Sequence, residues 1–151
     1  MSLIRQKLQE NGFEYFFKSV FLYIEKKKYS HMVIRGKNVL IIEDNEEHMK
    51  IVVGYLKSLK AKIFKCFTGE KAVETFKKKQ IDLVIMDYRL PYKNGLILTN
   101  EIKTIRKVPI ILVSGQDDII QDVDYIKKFQ FDEVIAKPYH KQKLIESIQN
   151  L

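Results

Sequence analysis

Four short, mainly apolar runs each stop on a group that could handle phosphate or a metal ion. Val39-Leu40-Ile41-Ile42 ends on Glu43-Asp44, Leu83 to Met86 on Asp87, Ile110 to Val113 on Ser114, and Glu133 to Ala136 on Lys137. If these ends converge, three carboxylates, a hydroxyl and an ammonium share one site. Clustered carboxylates repel one another unless a cation lies between them, and ligands that are all oxygen select a hard ion such as Mg²⁺. An aspartate beside Mg²⁺ and a lysine can attack phosphorus, because the two cations neutralise charge on the phosphoryl oxygens during transfer. A nearby hydroxyl can then hydrogen-bond the phosphoryl group. Each residue alone has a duller reading, as a helix cap or a solvated strand end. The set in this order is what points to phosphoryl chemistry.

The elements that must bring these groups together are βα units. Leu83 to Met86 is apolar at every position, the pattern of a parallel strand covered on both faces. A charge directly after such a strand belongs at its carboxyl end, where open α/β sheets keep their ligand crevice. Leu90-Pro91 and Asn94-Gly95 then break the chain; Pro91 fixes its φ, and Asn94-Gly95 suits a turn requiring positive φ. Strands are predicted over 39–42, 62–67, 81–87, 110–113 and 133–136. The second, Lys62 to Phe67, mixes polar and apolar residues as an edge strand does. Helices are predicted over 46–59 (Met49, Val52, Val53 and Leu56 inward), 70–78 (Ala72, Val73 and Phe76 inward), beyond Gly95 (Leu96, Ile97, Ile102 and Ile105), over 117–128, and over 140–150 (Leu144, Ile145 and Ile148 inward).

Length and composition fit this plan. A chain of 151 residues with 46% hydrophobic content suits one domain, which at that size buries roughly 68–70% of its unfolded surface. The single cysteine, Cys66, stands among apolar residues; it allows no intramolecular disulfide, suits a reducing compartment, and reads as a small core residue. The most apolar N-terminal run, Phe13 to Ile24, is interrupted by Glu14 and Lys18, so it is neither a membrane-spanning helix nor a signal-peptide core. A soluble, cytoplasmic protein is expected. Of the net charge of +8, residues 1–37 carry eight Lys/Arg against three Asp/Glu, and residues 38–151 nineteen against sixteen. Lys26-Lys27-Lys28 reads as a solvated helix end in preference to a nucleic-acid or lipid surface. His31, His48 and His140 have no second ligand at metal spacing and read as surface histidines. There is no glycine-rich phosphate loop, so ATP binding is not expected.

Taken together, the segments Val39 to Asn45, Asp87 to Gly95, Pro109 to Ser114 and Lys137-Pro138-Tyr139 resemble a response-regulator receiver domain of two-component signalling, over about residues 37–151. The resemblance implies a doubly wound five-stranded parallel sheet of order 2-1-3-4-5. It implies that Asp87 is the phosphoacceptor, that Glu43, Asp44 and Asp87 hold Mg²⁺ with the Arg89 backbone carbonyl, that Lys137 binds the phosphoryl group, and that Ser114 is the switch hydroxyl. Lys137-Pro138 is expected cis. The implied partner is a histidine kinase or phosphotransfer protein, and no kinase domain is expected here, although slow self-dephosphorylation fits the family. Because the chain stops with the receiver, it is expected to lack a C-terminal output domain. The alternatives are the C-terminal receiver of a hybrid kinase and a phosphorylation-independent interaction domain.

The sequence departs from the family at three places. Val134 stands three before Lys137, where the family often has an aromatic that is part of its switch. Phe129-Gln130-Phe131 replaces small residues before the fifth strand, which predicts an unusually apolar surface. Residues 1–36 are an N-terminal helical extension and linker outside the family pattern, preceding a receiver domain over 37–151. In that extension Phe13, Phe16, Phe17, Val20, Phe21 and Ile24 recur at helical spacing. Residues 13–28 are therefore predicted to form a helix whose stripe supports a homodimer ahead of docking within the chain.

Overall fold

The computed structural model describes residues 34–115 and 131–151. The predicted helices over 13–28 and 117–128, the linker with His31, and Phe129 lie outside the described residues. Within them the chain alternates strand and helix: β1 (Asn38–Ile42), α1 (Glu46–Ser58), β2 (Lys62–Cys66), α2 (Gly69–Lys78), β3 (Leu83–Asp87), α3 (Gly95–Ile105), β4 (Ile110–Gly115), β5 (Glu133–Lys137) and α4 (Lys141–Gln149). The five strands pair in parallel in the order β2-β1-β3-β4-β5.

Strand periodicity divides the core in two. Leu40, Ile42, Val84, Met86, Ile110 and Leu112 face one side, where Ala72, Val73, Phe76, Leu96, Leu98 and Ile102 of α2 and α3 cover them. Val39, Ile41, Leu83, Ile85, Ile111, Val113 and Ile135 face the other, under Met49, Val52 and Leu56 of α1 and Leu144 and Ile148 of α4. Every residue of β3 is buried, as a strand covered on both faces must be. At the sheet edge, β2 exposes Lys62 and Lys65, whose solvated charges discourage pairing with another chain. Cys66 is buried with its Sγ 3.4 Å from Thr75 Oγ1, and burial pushes its thiol pKa up, so it packs as an unreactive core residue.

Several expectations change in detail. In α3, Leu96, Leu98, Thr99 and Ile102 are buried, whereas Ile97 and Ile105, which served in the sequence as signals for this helix, are exposed. Gly95, seated against the end of β3, sets the rotation of this helix, and that rotation turns position 97 to solvent. Val53 and Ile145 are half-buried flanks instead of core. The third strand begins at Leu83, with Ile81 buried ahead of it. Phe131 and Val134 are half-buried against the α2/α3 side of the core. Ile34 is buried in the opposite core. Among the described residues no helix is long and apolar enough to cross a membrane.

Candidate functional site

Parallel pairing carries the carboxyl ends of β1, β3, β4 and β5 to one edge. The register sets Asp87 opposite Val113, with Ser114 one residue beyond, and Lys137 opposite Gly115. Glu43, Asp87 and Ser114 are buried there, at 4%, 8% and 1% exposure. Asp44 is exposed beside them, and one oxygen from each of Glu43, Asp44 and Asp87 lies within 4.8 Å of the others.

Lys137 closes the cluster. Its Nζ donates to Asp87 Oδ2 at 2.6 Å and to Glu43 Oε2 at 2.8 Å. Burial by itself would pull the ammonium pKa down, but the bonds and charges of Asp87 and Glu43 outweigh it and hold the pKa up. Glu43 is raised above the ordinary carboxylate value, first by burial and then by the charge of Asp87, against the lowering pull of Lys137. The Asp87 carboxylate is fixed on its other side by the Arg89 backbone N–H, which donates to Oδ1 at 3.1 Å. The Lys137-Pro138 bond is cis, as expected.

The loop after Asp87 is shaped differently from the expectation. The positive φ falls on Tyr92 (φ 65), not on Asn94 or Gly95. Lys93 N–H donates to the Pro91 carbonyl at 2.8 Å, closing a tight turn over Tyr92, which is 99% exposed. Asn94 instead caps α3 from an extended conformation, accepting from Ile97 N–H at 3.0 Å. Gly95 is required by close approach: a Cβ there would meet the Asp87 carbonyl oxygen at 2.8 Å and Leu112 Cδ1 at 2.9 Å. The glycine lets the first turn of α3 lie against the end of β3, with Gly95 N–H donating to the Tyr88 carbonyl at 2.8 Å.

The structure brings together Glu43, Asp44, Asp87 and Lys137, and it sets Ser114 and Arg89 on the same edge. It adds a residue that sequence reading assigned to the surface. His48 Nδ1 lies 3.3 Å from Lys137 Nζ and 3.8 Å from Glu43 Oε2. The signal available in the sequence was its place in the first turn of the helix that follows Glu43-Asp44, and only the approach of β5 gives that place meaning. His140 lies at the N-cap of α4 and is exposed. Tyr139 is half-buried beside Tyr55, their rings 6.5 Å apart edge to face; burial, and then the charge of Glu43, push its hydroxyl pKa up. In donor chemistry the site suits a hard divalent cation: the three clustered ligand atoms are carboxylate oxygens, two of them from buried groups that share the one ammonium of Lys137.

Comparison with known proteins agrees with this architecture. The family model of the response regulator receiver domain matches residues 39–149. The chain is similar to the regulatory protein VanR of Enterococcus faecium, 34% identical over 113 residues, or 74% of this chain and 48% of VanR. It is also similar to the autoinducer 1 sensor kinase/phosphatase LuxN of Vibrio campbellii, 35% identical over 105 residues, or 69% of this chain and 12% of LuxN. The chain thus spans about half the length of one relative and a small part of the other. Among solved structures, the receiver domain of a sensor histidine kinase from Pseudomonas aeruginosa, with a magnesium ion coordinated in its active-site cleft, superposes with a TM-score of 0.69 at 28% identity, covering 76% of this chain and 95% of that one. The parallel 2-1-3-4-5 sheet and the matched span identify the chain as a member of the response regulator receiver domain family of two-component systems.

Proposed function

We propose that Asp87 is the phosphoacceptor of this receiver. An Asp87 carboxylate oxygen attacks the phosphorus of a phosphohistidine on a histidine kinase or phosphotransfer protein. The new P–O bond makes an acyl phosphate, the P–N bond breaks, and the imidazole leaves with its electron pair and takes up a proton. Lys137 binds the phosphoryl oxygens, and the Ser114 hydroxyl donates to the phosphoryl group once it is in place. Glu43, Asp44 and Asp87, with the Arg89 backbone carbonyl, would hold Mg²⁺, which when bound neutralises phosphoryl charge. The observation that carries this reading is the 2.6 Å bond from Lys137 Nζ to Asp87 Oδ2, made between residues fifty apart in sequence at the carboxyl edge of the sheet. Such a pair compensates the carboxylate and sets a cation where phosphoryl oxygens would lie.

Incubation with acetyl phosphate and Mg²⁺, read by intact mass, tests it. The chain is expected to gain one phosphoryl group, and Asp87→Asn is expected to gain none, because an amide is a poor nucleophile. Unchanged uptake by Asp87→Asn would sink the assignment. A second reading, a receiver belonging to a longer hybrid kinase, is supported by the likeness to LuxN. The cytoplasm is the proposed compartment, in keeping with the buried free thiol of Cys66. The apolar stripe at Phe13, Phe16, Phe17, Val20, Phe21 and Ile24 is proposed to pair two copies of the chain. Sedimentation of the full chain and of one starting at Gly36 decides that point, and a full-length monomer across micromolar concentrations would exclude the dimer.

A further inference from the structure

We infer that His48 is a positioning residue for Lys137, the acceptor on which the ammonium rests when a divalent cation takes the carboxylates. The inference builds on the proposed cation site and adds a residue to it. An ammonium has three protons and no lone pair, so in its 3.3 Å contact with Lys137 Nζ the His48 Nδ1 is the accepting atom. Lys137 thereby has three acceptors, Asp87 Oδ2, Glu43 Oε2 and His48 Nδ1. Two of them belong to carboxylates that would also hold the cation, and the third does not.

A dication and an ammonium repel each other strongly at the few ångströms that separate positions within this cluster. Cation binding must therefore loosen the bonds from Lys137 to Glu43 and Asp87. The imidazole, half-exposed at 47% where the Glu43 side chain is only 5% exposed, offers an acceptor to one side of the carboxylates. It keeps the ammonium within reach of incoming phosphoryl oxygens while vacating the oxygens the cation needs. The position of His48 is built into the fold. Asn45 Oδ1 accepts from the N–H groups of Glu47 and His48, both at 3.0 Å, and Asn45 N–H donates in turn to Glu43 Oε1 at 3.1 Å. Glu43, Asn45, His48 and Lys137 thus form a closed ring of hydrogen bonds around the start of α1.

Titration calorimetry of the intact chain with MgCl₂, without phosphodonor, tests the inference. His48→Ala is expected to weaken Mg²⁺ binding by about two- to tenfold, the range of one net hydrogen bond. His48→Asn, whose amide oxygen can stand near the place of Nδ1, is expected to recover most of that loss. In phosphorylation by acetyl phosphate, the His48→Ala defect is expected in the half-saturating Mg²⁺ concentration more than in the saturated rate. Equal Mg²⁺ affinity in wild type and His48→Ala overturns the inference, as does a His48→Asn protein as weak as His48→Ala. A wild-type chain that takes up no Mg²⁺ overturns it together with the cation site. A wild-type chain that binds Mg²⁺ yet accepts no phosphoryl group refutes the phosphoacceptor reading alone, and the calorimetric comparison still decides the role of His48.

Discussion

Lys137 is the residue on which the electrostatics of the site turn, because it is the counter-charge to both buried carboxylates. Its removal leaves Glu43 and Asp87 side by side without the ammonium they share, and breaking a buried pair from one side costs roughly 3–5 kcal/mol. The Lys137 side chain is 20% exposed, so water screens part of that loss and about 1–3 kcal/mol is expected for Lys137→Ala. Urea unfolding in EDTA measures it, and added Mg²⁺ is expected to recover most of the difference by taking over as the counter-ion. The same variant is expected to bind Mg²⁺ at least as well as wild type while its phosphorylation slows by about two orders of magnitude. A large fall in Mg²⁺ affinity would assign the lysine a different role.

At the scale of elements, two junctions hold the site. The first is the seating of α3 on β3, which depends on Gly95. An added Cβ meets backbone at 2.8 Å, so the loop between Asp87 and α3 must shift. Gly95→Ala is expected to cost about 1–3 kcal/mol in urea unfolding and to slow phosphorylation of Asp87 through the displaced loop. The second junction lies just beyond β5, where Tyr139 meets Tyr55 of α1. Its phenol is held above the ordinary value of about 10, first by burial. A group whose pKa is raised by folding contributes stability that is fully present below the unfolded pKa and is lost as pH rises through the folded one. In an ultraviolet titration of the folded chain, Tyr139 is therefore expected to stay protonated past the ordinary tyrosine value of about 10, and Tyr139→Phe is expected to reduce the loss of stability above that pH.

For the whole molecule, the sheet is sandwiched between two cores, and the site lies at its carboxyl edge, where the strand ends are fixed by those cores. A cation bound there would stabilise the folded chain by an amount that grows with the logarithm of its concentration above Kd, since the unfolded chain scatters Glu43, Asp44 and Asp87. At a Mg²⁺ concentration about a hundredfold above Kd, the gain is expected to be about 2.7 kcal/mol. Thermal unfolding should shift upward with MgCl₂, return with EDTA, and shift less in Asp44→Asn. No Mg²⁺ effect on the unfolding temperature would argue against the carboxylate cluster as a cation site.

The sequence alone determined the alternation of elements, because uninterrupted apolar runs and 3.6-residue stripes are local patterns that burial on two faces imposes directly. It also singled out Asp87, Lys137, Ser114, Glu43 and Asp44 as candidates, since each stands at the polar end of such a run. Tertiary structure decided what depends on distance between segments. His48 is exposed, as a surface histidine is, yet β5 brings Lys137 Nζ to it from 89 residues away in sequence. Asn94-Gly95 reads as a positive-φ turn because those residue types tolerate one, yet the steric demand comes from the Asp87 carbonyl and Leu112 of neighbouring strands, and the positive φ passes to Tyr92. Ile97 and Leu98 are equally apolar, and the seating of Gly95 on β3 chose which of them is buried. Periodicity carries the fold because it is written residue by residue, whereas contacts between elements depend on register and rotation, which only the packed sheet and its helices fix.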